Sequence, residues 1–219
     1  MKLLVVSPHP DDETLGAGGT ILRYKKEGHR VYWLNITDVT SELGYSANFI
    51  EHRKSQIIQI NNFYGFDGFY NLKLPSTKLS TLEEHKVISK IFKVFDEVQP
   101  DWIIIPGRYD AHSDHIVVHD CCMACTKVFR APYLKTILTM EILSETDFGY
   151  RMEKFSPNLF IDVTNEIDKK LDAMMIYDTE IEEPPFPRNA NNIKALALNR
   201  GGQSGCMYAE AFGIVKMIK

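Results

Sequence analysis

The chain has 219 residues, 44% hydrophobic and 25% charged, with 25 Lys plus Arg against 29 Asp plus Glu and a net charge of −4. This is the composition of a folded protein with a real core, and it excludes disordered and collagen-like classes. The acidic balance is opposite in sign to a nucleic-acid footprint, and the length fits a single α/β domain over residues 1–219.

Residues 2–7 form a short apolar run that reads as a strand. It stops at Ser7-Pro8-His9-Pro10, far short of a secretory core. No run approaches the ~18–20 apolar residues of a membrane-spanning helix, so a cytoplasmic protein without a transmembrane segment is expected. A helix over 14–27, closed by Gly28, leads to a strand over 31–36. Next comes a helix over 47–61 with Phe49, Ile57, Ile58 and Ile60 as its apolar positions. The aromatics after it (Phe63, Tyr64, Phe66, Phe69, Tyr70) suit either the wall of a sugar site or core packing.

A helix over 81–98 precedes the apolar run 102–106, which suits a fully buried strand. A helix over 115–130 carries Cys121, Cys122 and Cys125 beside Val117, Val118, Val128 and Phe129. Cysteines crowded in this way read as small buried apolar residues rather than as a disulfide framework or zinc ribbon. Strands over 135–141 and 158–163, a helix over 165–179 and a proline-rich loop over 182–187 follow. Helices over 189–199 and 207–217, on either side of a turn at 201–205, complete the chain. The alternation predicts a mainly parallel sheet with helices on both faces.

Chemistry concentrates after two of these strands. His9-Pro10-Asp11-Asp12-Glu13 follows the first, and Asp110-Ala111-His112-Ser113-Asp114-His115 follows the buried strand at 102–106. Open α/β sheets bind ligands beyond the carboxyl ends of their strands. Two histidines and one aspartate suit a hydrolytic metal that keeps an open position for water. His9 and Asp12 sit three apart across a proline-fixed turn, which leaves Asp11 free beside the metal as a general base. Either cluster alone fits a capped helix start equally well; their pairing at two strand ends favours a metal site. Gly16, Gly18 and Gly19 do not complete the dinucleotide fingerprint, since Ile21 holds its third glycine position. They are assigned to close helix packing.

The two clusters, together with Met207-Tyr208-Ala209-Glu210-Ala211-Phe212 near the end of the chain, resemble the LmbE-like, or PIG-L, family of zinc-dependent deacetylases. The resemblance implies a Rossmann-like domain that removes an N-acetyl group from an amino sugar or sugar conjugate of N-acetylglucosamine type. It also implies that His9, Asp12 and His115 bind zinc and that Asp11 is the general base. His112 then stabilises the oxyanion or protonates the leaving amine, with Asp114 orienting it and favouring its charged form. Arg53 falls where the family places a substrate-binding arginine, although the acidic residue expected three positions later is Gln56.

Iron(II) fits the same ligand set. Arg108, Arg188 and Arg200 read as solvated surface charge in preference to a phosphate site. The loop Thr37-Asp38-Val39-Thr40 carries no assigned role. The partner expected is a small N-acetylated sugar or conjugate, without nucleic acid; self-association is left open. A metal-dependent phosphoesterase and an inactive carbohydrate-binding relative are the alternative functions.

Overall fold

The computed structural model describes residues 1–149 and 154–218. In chain order the elements are β1 (Lys2–Ser7), α1 (Asp12–Lys26), β2 (Arg30–Asp38), α2 (Ala47–Tyr64), β3 (Gly68–Pro75), α3 (Glu84–Val98) and β4 (Trp102–Ile105). They continue with α4 (Ser113–Cys125), β5 (Thr136–Met140), β6 (Leu159–Asp162), α5 (Ile167–Ile176), α6 (Ala190–Ser204) and β7 (Ala209–Met217). The strands form one sheet in the order β3-β2-β1-β4-β5-β7-β6. Five strands are parallel, and β7 runs antiparallel between β5 and β6.

The period-two alternation of β1 divides the core. Leu3 and Val5 join Trp33, Ile57, Ile60, Ala173 and Ile193 under α1, α2, α5 and α6, while Leu4 and Val6 join Val87, Ile91, Val118 and Cys121 under α3 and α4. Helices therefore cover both faces, as expected for a mainly parallel sheet. Glycines let α1 lie close to its neighbours. A Cβ on Gly16 would fall 2.5 Å from Met140 Sδ, and one on Gly19 would fall 2.7 Å from Val163, so both are packing glycines. From β1 the chain moves outward to β2 and β3, then crosses back through α3 to β4 on the other side of β1. The order reverses between β1 and β4, and their carboxyl ends open the crevice in which ligands bind in such sheets.

Several elements depart from the sequence expectation. The helix predicted over 207–217 is strand β7: Ala and Glu favour a helix locally, but Phe212 pairs with Met140 on β5 and Leu159 on β6, filling a gap in the sheet. The turn predicted at 201–205 is shorter, because α6 continues through Gly201 and Gly202 and stops at Gly205, a left-handed cap. Strand β3 was not foreseen; Phe69 on it and Phe66 just before it pack against the core, 4.5 Å and 5.5 Å from the Trp33 ring between centroids. On α2, Ile58 is exposed rather than apolar-facing.

Helix α4 ends at Cys125, not at 130, and leaves Val128 60% and Phe129 79% exposed. Thr126 closes it by sending both its N–H and its hydroxyl to Met123 O. The cysteines themselves behave as predicted. Cys121, Cys122 and Cys125 are fully buried, and burial pushes their thiols up, Cys121 to about 12 and Cys125 to about 11. A thiol reagent at pH 8 is therefore expected to label Cys206 alone in the native protein and all four cysteines after denaturation, as counted by mass spectrometry. Rapid native labelling of a second cysteine would contradict this packing.

Candidate active site

The loop after β1 and the loop after β4 meet at the sheet switch point. Asp11 precedes α1 with φ 138°, a conformation that few residues other than glycine adopt. The acidic-cap alternative does not hold here: Asp11 makes no side-chain cap bond, and its carboxylate accepts from Arg188 Nη1 at 2.7 Å. Its backbone N–H donates to Glu13 Oε2 at 3.1 Å, and Glu13 in turn accepts from the Tyr177 and Thr14 hydroxyls. A buried polar network thus pins the unusual backbone in place.

His9, Asp12 and His115 come together as expected. Asp12 Oδ2 lies 3.4 Å from His9 Nδ1 and 3.3 Å from His115 Nε2. The opposite nitrogen of each imidazole faces a carboxylate: His9 Nε2 is 3.1 Å from Asp114 Oδ2, and His115 Nδ1 is 3.0 Å from Asp110 Oδ2. This is the outer arrangement that holds metal-binding histidines in one tautomer. Asp110 further accepts from the Thr146 hydroxyl at 2.8 Å and Gly107 N–H at 3.2 Å. His115 Nε2 is buried, with no hydrogen-bond partner. A buried polar atom left without a partner is costly, and a cation between His9 Nδ1, Asp12 Oδ2 and His115 Nε2 would satisfy it. The donor set therefore fits a divalent ion.

The electrostatics agree. Burial alone would raise the Asp12 carboxyl, but His115 and His9 outweigh it and hold that group well below the usual carboxylate range. Burial would lower His9, yet Asp114 and Asp12 bring it up to about 9, and Asp12 with Asp110 raises His115 likewise. The carboxylates that draw protons onto these imidazoles equally favour a metal cation, which would take the place of those protons on the neutral rings. Burial drives Asp11 up to about 8 against the opposing pull of Arg188, with Asp12 and Glu180 adding to the rise.

His112 and Asp114 are arranged differently from the expected pairing. The Asp114 backbone N–H donates to His112 Nδ1 at 3.0 Å, while the Asp114 carboxylate faces His9 and accepts from Thr77 N–H at 2.7 Å and Leu79 N–H at 3.1 Å. Asp114 thus orients His112 through the main chain. Asp114 does favour the charged imidazole, but burial, followed by His9 and His115, outweighs it and lowers the ring to about 4. With Nδ1 accepting, the neutral ring carries its proton on Nε2. His112 also caps α4, so the bland reading of this residue holds alongside the functional one.

His9, Asp11 and His112 open into a cleft of about 190 Å³ that is also lined by Thr37, Asp38, Tyr45, Phe49 and Arg53, while Asp12, Asp114 and His115 lie buried behind them. The loop left unassigned in the sequence therefore does shape the pocket. Arg53 is buried and donates to Pro10 O at 3.3 Å, to Thr179 Oγ1 at 3.1 Å and to Glu180. Arg188 corrects the surface-charge expectation. Only 16% exposed, it bonds Asp11, Glu145 and Ser144 from the loop after α5. Arg108 and Arg200 pair instead with Asp120 and Glu141, and neither lines the cleft. Arg188, Glu180 and Glu145 were missed because no local periodicity marks a loop residue that folds back on a distant site. Asp110 had a signal, since it lies five residues before His115 in the same cluster.

The family described as PIG-L, GlcNAc-PI de-N-acetylase, matches residues 4–126. Among curated proteins, the diacetylchitobiose deacetylase of Thermococcus kodakarensis is 25% identical, over 98% of this chain and 83% of that protein. Among solved structures, a conserved protein of Thermus thermophilus is similar with a TM-score of 0.78 and 25% identity, covering 99% of this chain and 96% of that one. The N,N'-diacetylchitobiose deacetylase of Pyrococcus horikoshii has a TM-score of 0.78 at 22% identity, covering 98% and 84%, and shares the fold. The family match takes in both site clusters and more than half of the sequence, and the chain belongs to the PIG-L, or LmbE-like, family.

Proposed function

We propose that this protein is a zinc-dependent hydrolase that removes the N-acetyl group from an amino sugar or sugar conjugate of N-acetylglucosamine type. The observation that carries this reading is the convergence of His9 Nδ1, Asp12 Oδ2 and His115 Nε2, with the Asp11 carboxylate beside them on the cleft wall. Each imidazole is braced by a second carboxylate. The family's description and the activity named for the Thermococcus relative, both deacetylations of amino sugars, support the same chemistry.

His9, Asp12 and His115 would hold the zinc, and the same donors suit iron(II). A divalent ion there supplies Lewis acidity to the acetamide carbonyl and acidifies water. Asp11 takes the proton of the attacking water and returns it to the departing nitrogen. His112, its Nδ1 held by the Asp114 N–H, presents Nε2–H to the developing oxyanion. Arg53, fixed against Pro10 O, contributes to the substrate wall. Among the described residues no helix is long and apolar enough to cross a membrane.

A two-metal phosphoesterase is less well supported. The second grouping, His9 with His112 and Asp114, reuses His9, and both carboxylate oxygens of Asp114 already accept backbone N–H groups. The test is metal content together with acetate release. Protein purified without chelator is expected to hold about one zinc or iron per chain, lost in Asp12→Ala, and to release acetate from N-acetylglucosaminides. Two metals per chain would favour the phosphoesterase, and none would overturn the metal site.

A further inference from the structure

Two arginines on a cleft wall ordinarily make a receptor for carboxylate or phosphate. Here both guanidinium groups are already engaged. Arg188 donates Nη1 to Asp11 at 2.7 Å, Nη2 to Glu145 at 3.2 Å and Nε to Ser144 Oγ at 2.6 Å. Arg53 donates to Pro10 O, Thr179 Oγ1 and Glu180. Glu180 touches both cations, with Oε1 on Arg53 and Oε2 3.4 Å from Arg188 Nη1. Gln56, one helical turn after Arg53, offers that arginine no charge and bonds Asp178 at 2.7 Å instead, so the carboxylate comes from the loop after α5.

Among the described residues, Asp11, Asp38, Glu145 and Glu180 line the cleft together with Arg53 and Arg188. An anionic substituent entering here would have to displace an internal carboxylate while being repelled by the others. Beside Arg53, the Tyr45 and Phe49 rings stack 5.1 Å apart and give the wall an uncharged face.

Resting on the deacetylase reading, we infer that Glu180 is a specificity-determining residue that occupies the anion position between Arg53 and Arg188. The cleft accordingly takes an uncharged N-acetyl amino-sugar glycoside in preference to an anionic sugar conjugate. The preference is set by built-in repulsion as much as by attraction.

The test uses metal-loaded protein and two probes of equal length, ethyl glucosaminide and carboxymethyl glucosaminide, with Kd measured by calorimetry. As deacetylated amines they bind without turnover. The wild type is expected to bind the ethyl compound at least about tenfold more tightly, and Glu180→Gln and Glu180→Ala are each expected to shift that ratio toward the anion by about tenfold or more. The ratio of kcat/KM for the two N-acetyl forms should move the same way. Equal or tighter binding of the carboxymethyl compound by wild type, an unmoved ratio in both variants, or binding of neither compound would overturn the inference. Binding ratios as expected, with no acetate released from either N-acetyl form, would instead strike the deacetylase reading and leave the charge selectivity standing.

Discussion

Asp11→Asn is expected to lower kcat by about 10²–10⁴-fold while leaving the metal content of the protein unchanged. Asparagine tolerates positive φ about as well as aspartate does, so the 138° backbone angle at this position survives the change. Its amide oxygen can still accept from Arg188 Nη1, which now bonds the carboxylate. The backbone N–H to Glu13 is likewise retained. What is lost is the ability to take a proton from water and return it to the leaving nitrogen. Steady-state kinetics of acetate release, with metal per chain measured on the same samples, separates this loss from a damaged site. If turnover stays within about threefold of wild type, the proton is taken elsewhere and the role given to Asp11 is wrong.

Glu210→Ala is expected to destabilise the fold by about 3–5 kcal/mol, the range for removing one partner of a buried ion pair. Glu210 lies on β7 and accepts from Lys170 Nζ at 2.7 Å, Gly19 N–H at 2.8 Å and Thr20 N–H at 2.7 Å. Lys170, equally buried on α5, also donates to Leu15 O on α1 at 2.8 Å. The pair therefore ties three elements together at the helix that begins with Asp12. Alanine would strand the Lys170 charge and remove the side-chain acceptor of two α1 N–H groups. Urea unfolding gives the magnitude. Combining Glu210→Gln with Lys170→Met should recover more than half of the loss, because the Gln oxygen still accepts a backbone N–H and no charge remains buried. A Glu210→Ala loss below about 1 kcal/mol would mean that water reaches the site and that the pair is not the anchor its burial implies.

The local sequence by itself determined the parallel strands β1, β2, β4 and β5 and both clusters of the site. Leu3 to Val6 and Ile103 to Ile105 are continuous apolar runs because strands covered on both faces need them. His9 to Asp12 is a short segment in which spacing nearly dictates geometry, and the family resemblance implied His115 as the third residue of the convergence. The packing role of Gly16 and Gly19 was legible for the same reason.

Tertiary structure decided the rest. Residues 209–217 are a strand because β5 and β6 offer a partner on either side, a benefit that no local propensity encodes. Which of three arginines enters the site depended on how the segment after α5 folds over the cleft: Arg188 reaches Asp11 from 177 residues away, whereas Arg108 and Arg200 find carboxylates elsewhere. The protonation preference of His112 followed from burial and from two neighbouring imidazoles, which only the assembled switch point brings within 6 Å of its ring. Side-chain charge is written in the sequence, but its partners and its solvent are set by chain segments far away, and these fix whether a cleft arginine is free to hold an anion or already holds one.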